Sequence, residues 1–97
     1  MAYKIKYVAS ARQDMLDIAL HLSRFYESTF PKFIARLDRS VARLVDMPYM
    51  GIAYRNYRRL VVGDYLVFYQ VDEAGRTIQI YRILHGAQDV SAIQAGL

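Results

Sequence analysis

The sequence predicts an α+β fold in the order β-α-α-β-β-β, with a helical hairpin packed on one face of a twisted, mainly antiparallel sheet. Three features of the 97-residue chain carry that prediction. Apolar residues alternate at period two near the N-terminus. They then recur at helical spacing through two segments separated by a short break. After Pro48 the period returns to two, punctuated by turn residues.

In "YKIKYV" (Tyr3 to Val8), Tyr3, Ile5 and Tyr7 share one side and Lys4, Lys6 and Val8 the other, the alternation of a half-buried strand. Ser10 followed by Gln13 has the spacing of a capping box, and Asp14 adds negative charge near the helix start. Met15, Ile18, Ala19, Leu22, Phe25 and Tyr26 recur at helical spacing behind it. "ESTFP" breaks this helix; Thr29 is placed to cap a second one, with Pro31 in its first turn. That helix carries Phe30, Phe33, Ile34, Leu37, Val41, Leu44 and Val45 inward and ends before Pro48. The short connection predicts antiparallel neighbours.

Beyond "MPYMG", the segments "RRLVV" and "YLVFYQV" flank Gly63-Asp64, a two-residue turn with glycine first, as a type II′ hairpin requires. "DEAGR", with Gly75 as its turn residue, leads into the last strand, "TIQIYRILH". Gly51 is expected to take positive φ after Pro48. Residues 1–97 form a single domain, since a second would have no core of its own.

With 55% hydrophobic residues, nine tyrosines and four phenylalanines, the chain has the material for a core. It has no cysteine, so disulfides, zinc–thiolate sites and thiol nucleophiles are excluded. No apolar run reaches the length of a membrane span, and the N-terminus lacks a signal peptide's apolar segment, so the expected location is cytoplasmic, with no membrane partner. Ten arginines and three lysines oppose nine acids, for a net charge of +4. A small basic domain rich in guanidinium suits nucleic acid or an acidic protein.

"YLVFYQV" is apolar on both sides. One side meets the helices; the other, drawn from Tyr65, Leu66, Phe68 and Tyr69, predicts a surface that a partner covers.

The hairpin ending in Leu44, Pro48 and Gly51, then "RRLVVGDYLVFYQVD", then "IYRILHGAQDV", together resemble the RelE/ParE superfamily of bacterial toxins, from the first strand to Ala92. The resemblance implies the toxin of a type II toxin–antitoxin module, neutralised by a cognate acidic antitoxin. ParE-like members inhibit DNA gyrase by binding it. RelE-like members cut messenger RNA in the ribosome, by attack of a ribose 2′-hydroxyl on the neighbouring phosphate. That chemistry needs a base, a cation for the phosphorane charge and an acid for the leaving oxygen. His85, Arg59 and Arg82 would be the nuclease candidates here, with Tyr69 or Tyr81 stacking a base. No aromatic follows His85, no cation follows Arg82, and all three lysines lie in the N-terminal third. "LHGAQD" is closer to ParE-like members, and the gyrase-inhibitor reading is preferred.

Partner contacts are expected at Arg58, Arg59, Arg82, Tyr65 and Tyr69, and at Arg36, Arg39 and Arg43, which form one helical stripe. Structural alternatives stand beside them: ion pairs of the strand arginines with Asp64, Asp72 or Asp89, a hydrogen bond of His85 to backbone or Asp89, and a solvated face for the stripe. His21, between Leu20 and Leu22, reads as a surface or packing residue. Neither histidine has metal-ligand spacing, and no cofactor is implied. A binding module without toxicity is the third function class.

Overall fold

The computed structural model describes residues 3–86. Strand β1 (Lys4–Tyr7) is followed by helices α1 (Ala9–Leu22) and α2 (Thr29–Asp46), then by strands β2 (Ile52–Tyr54), β3 (Tyr57–Val62), β4 (Tyr65–Asp72) and β5 (Thr77–His85). The sheet is open, in the order β1-β5-β4-β3-β2. β1 pairs with β5 in parallel, and the other pairings are antiparallel. This is the predicted α+β arrangement with one strand more: "IAY" turns back on "YRR" through Arg55-Asn56, with Arg55 at φ 54°.

The core lies between the helices and one face of the sheet. Ala11 and Ile18 come from α1, and Phe33, Leu37, Val41 and Leu44 from α2. They meet Leu60, Val62, Tyr65, Val67, Tyr69, Ile78, Ile80 and Ile83. On the other face Phe68 and Leu84 are covered by Tyr54, Tyr57 and Leu66. The register thus divides the central strand: Tyr65 and Tyr69 face the helices, Leu66 and Phe68 the open side.

Several local expectations are corrected. α1 begins at Ala9, so Ser10 is inside the helix and does not cap it; its hydroxyl donates instead to the Tyr81 carbonyl, at 2.7 Å. Thr29 is the first residue of α2, and no side-chain cap forms at Ser28 before it. α1 stops at Leu22, leaving Phe25 and Tyr26 exposed rather than inward, with Phe25 edge-on to His21 at 5.5 Å. Gly75 is a turn residue, as expected: its N–H donates to Asp72 Oδ1 at 3.1 Å, and Arg76 beside it takes positive φ. Gly63, at φ 59°, opens the β3–β4 turn as predicted.

Gly51 is needed for a different reason from the one expected. Its φ is not positive, but a Cβ there would fall 2.6 Å from the Tyr69 hydroxyl. That hydroxyl accepts from Gly51 N–H at 2.9 Å and donates to the Pro48 carbonyl at 2.8 Å, fixing the connection from α2 to β2. Tyr69→Phe leaves two buried backbone groups unpaired and is expected to cost about 1–3 kcal/mol. Gly51→Ala, which forces ring or loop to move, should cost at least as much. Chemical denaturation of the two variants checks both values.

Burial, with the Asp38 charge as a smaller cause, pushes the Tyr7 phenol up to about 12. Burial also raises Tyr65 and Tyr69. An unfolded tyrosine titrates near about 10. The folded chain therefore holds these protons more tightly. Their stabilising contribution is complete below about pH 10 and is lost as pH rises through each raised value, about 12 for Tyr7. Thermal stability followed across this range, beside phenolate absorbance, should show a fall that begins above about pH 10.

Candidate functional site

The far half of β5 holds the chain's least ordinary electrostatics. Up to Ile80, β5 is paired with β1. There β1 ends, and α1 takes over the exposed edge. A bulge places Tyr69 opposite Ile80 but Phe68 opposite Arg82, so Tyr81 is the extra residue. Ser10 serves the Tyr81 carbonyl, and Asp14 serves the next free amide: Asp14 Oδ2 accepts from Ile83 N–H at 2.9 Å. The same carboxylate accepts from Arg82 Nε at 2.7 Å and Nη2 at 3.1 Å. Asp14 is 8% exposed, so this is a nearly dry, bidentate pair. The hydrogen bond from Asp14 raises the Arg82 pKa further, against the smaller opposing effect of burial.

Arg82 is thereby held by Asp14, not by Asp64 or Asp72; Asp89 lies outside the described residues. Arg58, unlike Arg82, makes no ion pair among the described residues. Its Nη1 donates to the Gly51 and Tyr49 carbonyls at 2.9 and 3.3 Å, and its guanidinium lies 4.9 Å from the Tyr49 ring centroid. Tyr49 in turn donates to Glu73. Arg58 and Tyr69 both clamp the α2–β2 connection; Arg58 is half-buried there and Tyr69 is fully buried. Tyr65 is also buried, its ring against Phe33 and His85 at 4.7 and 5.2 Å.

Arg59 stands on the open face, across from Phe68 on one side and Ile52 on the other. Its Nε is buried and has no hydrogen-bond partner. His85 pairs with Tyr65 at the other end of β4 and shares its side, toward α1. Arg59 and His85 are thus on opposite faces of the sheet. Of the nuclease candidates, Arg82 and His85 line one cleft of about 580 Å³ with Asp14, Asp17, His21 and Tyr65; Arg59 does not reach it. Among the described residues no cluster of acids and histidines fit to hold a metal occurs. No helix among them is long and apolar enough to cross a membrane. Arg36, Arg39 and Arg43 are exposed along α2, away from both places.

Residues 5–90 match the family model described as the ParE toxin of the type II toxin–antitoxin system parDE. The chain belongs to the ParE toxin family. It is therefore a type II toxin by family, within the RelE/ParE superfamily. A comparison with curated proteins gave no match. Among solved structures, this ParE-family chain is similar to the chromosomal ParDE TA system from P. aeruginosa, with a TM-score of 0.72 and 20% identity over 87% of this chain and 96% of that one. The RelBE2 toxin–antitoxin complex from Mycobacterium tuberculosis gives 0.60 and 21%, covering 88% and 99%. The isolated E. coli RelE toxin gives 0.63 and 13%, covering 99% and 100%. At these identities the structures establish the shared fold.

Two features of the site escape a reading of the sequence as strands and motifs. Asp14 shares the inner side of α1 with Ala11 and Ile18, at i, i+3 and i+7, and that spacing alone marks a carboxylate on the buried side. Ile52, 64% exposed, and Val61, 60%, rim the open face; "IAYRNYRR" with its central Asn was the available hairpin signal.

Proposed function

We propose that this toxin acts by binding a protein, DNA gyrase, and that a cognate acidic antitoxin neutralises it. The observation that carries the reading is the placement of Arg59 and His85 on opposite faces of the sheet. Cleavage of RNA needs its base, acid and phosphate-holding cation around one phosphate. Arg82, which lines the same cleft as His85, has its Nε and Nη2 already engaged by Asp14. The ribosome-dependent endoribonuclease is the alternative that this arrangement disfavours.

The open face supports the antitoxin as partner. Ile52 and Val61 expose apolar surface around Arg59, whose Nε still lacks an acceptor. An acidic segment complements the half-buried Arg59 guanidinium, and β2, at the sheet edge, can take an added strand. Leu16 and Leu20, exposed on α1, suit an apolar helix face. The solved M. tuberculosis RelBE2 relative is a toxin–antitoxin complex. The test is a gyrase supercoiling assay with the purified chain. Inhibition relieved by stoichiometric antitoxin is expected; gyrase fully active beside a chain that arrests growth would overturn the target.

A further inference from the structure

We infer that the basic stripe of α2 binds the phosphate backbone of duplex DNA, independently of sequence. Lys32, Arg36, Arg39 and Arg43 fall at i, i+4, i+7 and i+11. Helical geometry puts them within about 60° of arc, on a track about 16 Å long. All four are exposed, and among the described residues none is ion-paired. The whole charge excess resides here: thirteen cations oppose nine acids in the chain, and without these four the count is nine against nine. Acids border the stripe without interrupting it, Asp46 beyond its C-terminal end and Asp64 across the cleft that Lys32 and Arg36 share with Gly63.

The stripe's chemistry selects its occupant. The core of a protein interface is depleted in charge and built on apolar or aromatic anchors. Here the large apolar residues of α2, Phe33, Leu37, Val41 and Leu44, are turned into the core, and the stripe is flanked by Thr29 and Ser40 on one side and by Ala35, Ala42 and Asp46 on the other. Four exposed cations with small hydroxyls beside them match a protein–DNA surface, which is polar and strongly positive. Three are guanidinium groups, whose forked donors fit phosphate oxygens. The track spans about five nucleotides of one strand at about 3.4 Å each. The inferred contact is to the backbone, which fixes position and carries no sequence information. It lies apart from the open sheet face and does not depend on which target the toxin has.

The test is fluorescence anisotropy with a short labelled duplex of mixed sequence. Wild type is compared with Lys32→Gln/Arg36→Gln/Arg39→Gln/Arg43→Gln, which keeps good helix formers at every position. Wild type should bind unrelated duplexes alike, with affinity falling about 100-fold between about 50 and 200 mM salt, as four phosphate contacts require. The glutamine variant should retain its melting temperature and its antitoxin affinity while losing DNA binding. Arg36→Lys/Arg39→Lys/Arg43→Lys should retain DNA binding. A folded wild type that fails to bind duplex at low salt overturns the inference. So does a glutamine variant that binds DNA normally, or one that loses the antitoxin and not the DNA.

Discussion

Asp14→Ala is expected to lower the stability of the folded chain by about 3–5 kcal/mol, the cost of stranding one partner of a buried ion pair. For a domain of this size that is a fall in melting temperature on the order of 15–30 °C. The substitution removes the acceptor from both guanidinium bonds of Arg82 and from Ile83 N–H at the same time. The amide matters as much as the charge, because β1 ends before this part of β5 and no strand replaces it. Arg82→Ala should cost less, since Asp14 keeps the Ile83 amide as a partner. Replacing both, as Asp14→Leu/Arg82→Met, should recover part of the loss by removing the charges together, while Ile83 N–H stays unpaired. Thermal melts of the three variants give the ordering; an Asp14→Ala protein as stable as wild type would show that the pair contributes nothing.

Arg59→Ala should have the complementary effect. Its side chain makes no internal ion pair among the described residues, and its Nε is already unsatisfied, so the fold should survive. If an antitoxin carboxylate or carbonyl pairs with the guanidinium, removal should weaken that complex by about 2–5 kcal/mol, which is roughly 30-fold or more. The two arginines that look equivalent in "YRRLVV" and "IYRILH" therefore separate: one change is read in a binding titration, the other in a melt. Unchanged antitoxin affinity in folded Arg59→Ala would move the contact surface to Leu16 and Leu20 on α1.

Periodicity was enough for the helices, the three main strands and the side of α2 that enters the core, because amphipathic spacing is a local property. Where helices begin and end was less legible. Ser10 looks like a cap by spacing, yet its hydroxyl is used across 71 residues of chain by Tyr81. The partner of Arg82 lies 68 residues away on α1, whereas the acids near in sequence were the natural candidates. Such pairings are set by which strand edge α1 happens to cover. The bulge at Tyr81 is likewise a property of two strands together. Tyr69 shows the same limit: its aromatic ring marks it equally for a core or a contact, and only the register with Arg58 and the approach of Gly51 decide.

The claim that this toxin works by binding, with the strand-end histidine in a structural role against Tyr65, is tested most directly by His85→Ala. Wild type and the folded variant are assayed side by side for ribosome-dependent mRNA cleavage and for growth arrest on expression without antitoxin. The account predicts no cleavage by either protein and full growth arrest by both. Cleavage by wild type that falls about 10²–10⁴-fold in folded His85→Ala, together with lost toxicity, would contradict it.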